Sequence, residues 1–207
     1  CRAFAKLVLL VGLVAGVAAC AGKTRKVQRT DAESIEGSDL SGYWNDRDAN
    51  MVSKKMIDQC MGNPWSSNFQ SENAGKRAVI KLMGLIKRTD DRNVNTDFFA
   101  KQIERELLNS GRVRVVAAWG QDSINVAEKA RQSKHASDET AKSQQNEVGA
   151  DFTLQTIVNS QNETDGGGKA VRAYLVNMEL VNVETNEKVW IGEEKIRKVV
   201  DQAGTTW

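Results

Sequence analysis

The sequence predicts a mixed α/β domain, α+β in its layout: a mixed sheet with one βαβ unit followed by an antiparallel three-stranded meander, in a three-layer-like arrangement. Two stretches carry that expectation. Between positions 78 and 118 an apolar run, an amphipathic segment and a second apolar run follow one another. Strand, helix and strand over about 40 residues make a right-handed crossover between parallel strands. From position 151 to 200, long runs of alternating character are separated by polar turns. That is the pattern of an antiparallel sheet with one face on a core and one in water.

Order is expected from Asp39-Leu40-Ser41-Gly42-Tyr43-Trp44 onward. Asn45 or Asp46 can cap a helix running to about Met61, where Val52, Met56 and Cys60 recur at four-residue steps beside Ile57. Gly62-Asn63-Pro64 stops it, and the polar, Asn/Ser-rich stretch 65–76 reads as a loop. Ala78 to Lys87 is apolar at nearly every position and fits a strand covered on both faces. Thr89-Asp90-Asp91-Arg92-Asn93 ends it with turn chemistry. Thr96 is a good N-cap for the next helix, Asp97 complements its dipole, and Phe99, Ile103 and Leu107 form its buried stripe. Gly111 supplies a left-handed cap, and Arg112 to Ala118 is the second strand. Asp122 or Ser123 opens a polar helix to about Lys134, and Ser137 or Asp138 opens another that ends at Val148-Gly149.

The meander follows. Phe152 and Leu154, then less cleanly Thr156 and Val158, alternate along its first strand, and Leu175, Asn177 and Glu179 stand against Val176, Met178 and Leu180 along its second. Val189, Ile191 and Ile196 are the apolar positions of the third. Asn162 to Lys169, with Gly166-Gly167-Gly168, reads as a flexible hairpin loop, Glu184 to Glu187 as a turn, and 201–207 as a C-terminal tail.

The first 40 residues have a different character. Arg2 and Lys6 precede an apolar run from Leu7 to Ala19, the length of a signal-peptide core and short for a bilayer span. Val17-Ala18-Ala19-Cys20 resembles a bacterial lipobox. That resemblance implies cleavage after residue 19, a diacylglycerol on the Cys20 sulfur and acylation of its amino group. Residues 20–38 are dominated by charged and small polar side chains, with Val27 and Ile35 isolated, and read as a lipid-anchored flexible tether. Fully extended it spans roughly 60 Å.

Composition narrows the function classes. The chain has 29 Lys+Arg against 27 Asp+Glu. Removal of 1–19 takes Arg2 and Lys6 with it and leaves a formally neutral chain, so charge makes no case for nucleic acid. Beyond Cys20, only Cys60 remains in the processed chain. A lone thiol forms no internal disulfide, and Cys60 is expected as a small buried apolar residue. His135, the single imidazole, lies in a polar segment and reads as surface. Asp46-Asp48 and Asp90-Asp91 sit where caps and turns want aspartate. No cysteine or histidine pair has metal-ligand spacing, the triglycine lacks the ending of a phosphate loop, and there is no Gly-x-Ser-x-Gly. No catalytic residue, cofactor or metal is assigned, and a non-enzyme is expected.

Four segments in order resemble one family. Asp39-Leu-Ser-Gly-Tyr-Trp-Asn-Asp-Arg-Asp48 resembles the opening motif of the LpoB family, lipoprotein activators of penicillin-binding proteins. Thr96-Asp97 with Glu104-Arg-Glu-Leu-Leu-Asn-Ser-Gly-Arg-Val-Arg-Val-Val116 is similar to its helix and second strand. Glu139-Thr-Ala-Lys142 with Gly149-Ala-Asp-Phe-Thr-Leu-Gln155, and Val176 to Trp190, are similar to its later segments. The resemblance covers about 39–200. It implies a fold like the N-terminal domain of TolB, an outer-membrane lipoprotein facing the periplasm, and a class A penicillin-binding protein (a bifunctional peptidoglycan synthase) stimulated by direct contact. A monomer is expected. Ala21, not aspartate, follows Cys20 and by the enterobacterial sorting rule directs the chain to the outer membrane. The tether departs from the enterobacterial members, whose linkers are longer and proline-rich; the chain's single proline is Pro64. The alternative is a structural or secretion-related lipoprotein of the TolB/CsgG-like type, which would form a large ring.

Cys20→Ala is expected to abolish lipidation and to release the protein from membrane fractions. Unchanged incorporation of labelled palmitate in that variant would remove the lipobox reading.

Overall fold

The computed structural model describes residues 41–117, 122–137, 139–142, 147–164 and 169–201. The signal segment, the tether, Cys20, Gly166–Gly168 and Trp207 lie outside them. The elements are α1 (Asp46–Gly62), α2 (Trp65–Glu72), β1 (Val79–Arg88), α3 (Thr96–Asn109), β2 (Arg114–Val116), α4 (Asp122–His135), β3 (Phe152–Thr164), β4 (Lys169–Asn182) and β5 (Lys188–Asp201). They form a five-stranded mixed sheet in the order β2-β1-β3-β4-β5. β1 pairs in parallel with both β2 and β3, whereas β3–β4 and β4–β5 are antiparallel. The βαβ unit and the meander are therefore one sheet, joined where β3 lies beside β1.

The core occupies one side of that sheet. On β3, Phe152, Leu154, Thr156 and Val158 are buried, and on β4 Tyr174, Val176, Met178 and Leu180 are. Strand periodicity sends these residues to one face and their neighbours to the other. α1 covers the inner face with Val52, Met56, Ile57 and Cys60, and α3 with Phe99, Ile103 and Leu107, all at most 2% exposed. Burying such large side chains is worth about 1.5–3 kcal/mol each.

Several elements differ from the sequence reading. The stretch 65–76 contains α2 in place of a loop. Trp65 and Phe69, one turn apart, stack edge-on against Phe152, with ring centroids at 5.2 and 5.4 Å, and that packing supports a polar helix of weak intrinsic propensity. Asn45 caps α1, but the cap of α3 is not Thr96; it is Asn95, whose side-chain oxygen accepts from the Phe98 amide at 3.0 Å. β1 is not covered on both faces along its length. Its pairing to β3 shifts between Leu82 and Leu85, and Met83 there is 38% exposed. β2 is shorter than Arg112–Ala118, and no helix occupies the described residues of 137–149. The β3–β4 strands run on to Thr164 and begin again at Lys169, so the pairing extends into the expected loop.

β5 holds the largest correction. Ile191 faces outward, 61% exposed, and Trp190 is the buried residue. An irregularity between Leu180 and Val181 pairs them with Trp190 and Lys188, leaving Val189 over and shifting the alternation by one residue. The Trp190 ring lies across Gly192: a Cβ there would collide with the ring and approach Met56 Cε to 3.1 Å. Gly192→Ala is expected to cost about 1–3 kcal/mol by displacing Trp190. Urea melts with an unchanged midpoint would show that the ring has room.

Candidate functional site

The stretch Ser41–Asp48, singled out in the sequence, is a clasp that fastens the start of the domain to the far ends of β1, β4 and β5. Gly42 lies so close to Val200 that any β-carbon would overlap its side chain. The Tyr43 ring is covered by the Arg172 guanidinium, whose carbon stands 3.5 Å from the ring centre, a cation–π contact. The Trp44 ring packs between Phe99 and Tyr174, both 5.4 Å away. Asn45 and Asp48 exchange reciprocal side-chain bonds with each other's amides, both at 3.0 Å, a capping box that starts α1. Asp48 in turn pairs with Lys198 of β5 at 2.6 Å, both side chains at most 10% exposed, and Lys198 donates to the Tyr43 carbonyl at 3.0 Å.

Asp91 is the hub. Its Oδ2 accepts from the Trp44 amide at 2.8 Å and from the Tyr174 hydroxyl, while its Oδ1 accepts from the Asn93 amide at 2.9 Å. Trp44 also donates to the Tyr174 oxygen at 3.1 Å, closing a triangle. Burial alone would raise the Asp91 carboxyl; the Tyr174 hydroxyl, the Trp44 and Asn93 amides and the Arg172 charge outweigh it and hold it below its ordinary value. Burial pushes the Tyr174 phenol up, and the adjacent Asp91 charge pushes it further, so it stays protonated. Above the hub opens a polar cleft of about 390 Å³, lined by Tyr43, Asp90, Arg92, Asn93, Ser160 and Arg172 among others. A second cleft of about 580 Å³ lies between the outward residues Lys81 and Val116 and the α4 side chains Asn125, Glu128, Lys129 and Gln132.

These groups fasten chain segments; their lone pairs are already committed. Asp90-Asp91 proves more than turn chemistry, because one of its members is a buried anchor. Asp46-Asp48 serves a cap, as its position suggested, and adds the Lys198 pair. Cys60 is fully buried, and desolvation raises its thiol to about 12, far from a reactive thiolate. His135 is exposed at the end of α4. Tyr174, Arg172 and Lys198 were missed in the sequence. Extending the alternation Leu180, Met178, Val176 by one step reaches Tyr174, but nothing local ties it to Asp91. Among the described residues no helix is long and apolar enough to cross a membrane, and no group of three ligands could hold a metal ion.

Asp91→Asn is expected to destabilise the domain by about 2 kcal/mol, as hydrogen bonds to a charged acceptor are weakened. The Asp91 contribution is intact above the ordinary aspartate value near 4 and is lost as pH falls through its lowered folded value. The gap between wild type and variant in urea melts should therefore narrow from pH 7 to pH 3. A constant gap would remove Asp91 as the ionised hub.

The family model of the peptidoglycan-synthase activator LpoB matches residues 48–196. None of the curated proteins matches the chain. Among solved structures, the chain is similar to the LpoB C-terminal domain from Escherichia coli, at 16% identity over 72% of this chain and 98% of that one, with a TM-score of 0.43. The LpoB C-terminal domain from Salmonella enterica matches at 19% identity over 65% and 94%, TM-score 0.37. The NMR structure of E. coli LpoB matches at 17% identity over 90% and 86%, TM-score 0.41. The family match runs from the capping aspartate of α1 to the last buried residue of β5, and this chain belongs to the LpoB family of peptidoglycan-synthase activators.

Proposed function

We propose that this chain is an outer-membrane lipoprotein whose globular domain, residues 39–200, binds a bifunctional class A penicillin-binding protein and stimulates its peptidoglycan synthesis. The family match over 48–196 carries the reading. In this reading the protein makes and breaks no bonds itself. It raises the synthase rate by binding the active conformation of the enzyme more tightly than the inactive one, and the shift is limited by that difference in affinity. The lipid on Cys20 holds the chain at the membrane, and the tether 20–38 sets the effective concentration at which the domain meets its partner. The domain works as a monomer.

Lipidation is then a matter of placement, separable from activation. The chain carrying Cys20→Ala, purified in detergent, should bind a class A synthase from the same bacterium and increase its glycan polymerisation with dose. In cells the same variant should fail to complement a deletion at native expression. A purified chain that neither binds nor stimulates any class A synthase of its host would overturn the proposal.

A further inference from the structure

The polar cleft above Asp91 lies where an α/β sheet places ligands. β1 leads through α3 to β2 on one side, and the chain then crosses to β3 on the other. Both neighbours run parallel to β1. α3 packs on the inner face, and α4 stands over the outward Lys81 and Val116. Such a reversal of strand order leaves a crevice outside the carboxyl ends of the strands, the usual ligand position in open α/β sheets. Here the crevice is the cleft, because Asp90 to Asn93, which follow β1 directly, line it. Its floor is the inner face of the long hairpin. Ser160 pairs with Tyr174 and Asn162 with Arg172, the next inward pairs beyond the core pair Val158–Val176. Ser160 and Thr89 join hydroxyl to hydroxyl, and Tyr174 donates to Asp91, so the turn after β1 is fixed to this floor. Tyr43 of the clasp supplies the facing wall. The volume of about 390 Å³ falls in the lower part of the roughly 300–1,000 Å³ range of small-molecule sites.

The groups at the bottom of the cleft are committed, and those on its rim are not. Asp91 is engaged by its three donors, and Arg172, held over the Tyr43 ring, supplies its counter-charge. Asp90 and Arg92 are exposed, and neither forms an ion pair with a described residue. The side-chain amides of Asn93 and Asn162 bond to no described residue either. Lys198, tied to Asp48, and Lys87, which donates to the Val94 carbonyl at 3.4 Å, do not line the cleft. The formal charge of the lining is therefore zero: Arg92 and Arg172 against Asp90 and Asp91. That equality selects the ligand. A plain anion would meet Arg92 but face Asp90, and a plain cation the reverse. A neutral ligand would strip water from both charges and return no counter-charge. A ligand that carries both charges answers each with a charge-assisted hydrogen bond. The free amides offer donor and acceptor together, the complement of a peptide bond.

We propose that the cleft binds a short zwitterionic peptide, with its carboxylate at Arg92, its ammonium at Asp90 and its peptide bond at Asn93 and Asn162. The site stands apart from the activator reading, and its test needs no synthase.

The probe is alanylalanine, titrated into the full chain in detergent at pH 7. Saturable binding is expected, with NMR shifts centred on residues 90–93 and 160–162. The melting temperature should rise with dose, because a ligand held only by the folded chain stabilises it. N-Acetylalanylalanine, which lacks the ammonium, and alanylalaninamide, which lacks the carboxylate, should each bind about tenfold more weakly or worse. These blocked probes test both charges on the wild-type chain, whatever the behaviour of any variant. Asp90→Asn should weaken the dipeptide and leave N-acetylalanylalanine unchanged. Arg92→Gln should weaken both carboxylate-bearing probes and leave alanylalaninamide unchanged. A muramidase digest of peptidoglycan from the same bacterium, whose peptides remain joined to sugar, distinguishes the sources. Displacement of the dipeptide by the digest at a lower peptide concentration would place the ligand in the wall, and the opposite order would place it among free peptides. Failure of the dipeptide to bind, equal binding by its blocked forms, or shifts centred outside the cleft would overturn the site. Tighter binding of N-acetylglucosamine at the same residues would overturn the zwitterion.

Discussion

A carboxylate taken out of water must be paired, and the fold is organised around how Asp91 meets that demand. An unpartnered buried charge costs several kcal/mol, a large share of a domain's total stability. Asp91 finds its donors in Trp44, 47 positions earlier, and Tyr174, 83 later. Those bonds bring the entry of α1, the turn after β1 and the first half of β4 to one point. Lys198 and Asp48 repeat the arrangement beside it, tying β5 to the first turn of α1. Both anchors sit on the motif Ser41–Asp48, which explains why that short polar-aromatic stretch stands out in the sequence. Gly42 and Asp48 meet β5, Tyr43 meets β4 and β5, and Trp44 meets β4 and the turn after β1.

The two-sidedness of the sheet follows from the same economy of helices. α1 and α3 pack against one face and against each other, and their apolar stripes match the inward residues of β1, β3 and β4. α4, mostly polar and with its apolar Ile124 and Val126 left exposed, adds only a loose cover at one corner. Among the described elements, none therefore covers the outer face of the meander strands at the hairpin end. In the proposed reading, in which the protein acts by contact, the division is useful. The fastened face gives rigidity, so that a surface presented by the other loses little conformational freedom on binding.

What the sequence determined by itself were features governed by local periodicity and capping. The stripes Val52-Met56-Cys60 and Phe99-Ile103-Leu107, a cap at Asn45 or Asp46, the left-handed Gly111 (φ +66°) and the βαβ-then-meander order were all legible, because each depends on residues within a turn or a strand of one another. The family resemblance rested on the same stretches. Tertiary structure decided what no local pattern encodes. α2 exists because Trp65 and Phe69 meet Phe152, which lies more than 80 positions away. Trp190 rather than Ile191 faces the core because one irregular pair with β4 moves the register, and a period of two turns a single-residue shift into an exchange of faces. Asp91 looks like any turn aspartate until Tyr174 is brought beside it. Burial and pairing are properties of the assembled sheet, and only the sheet could assign them.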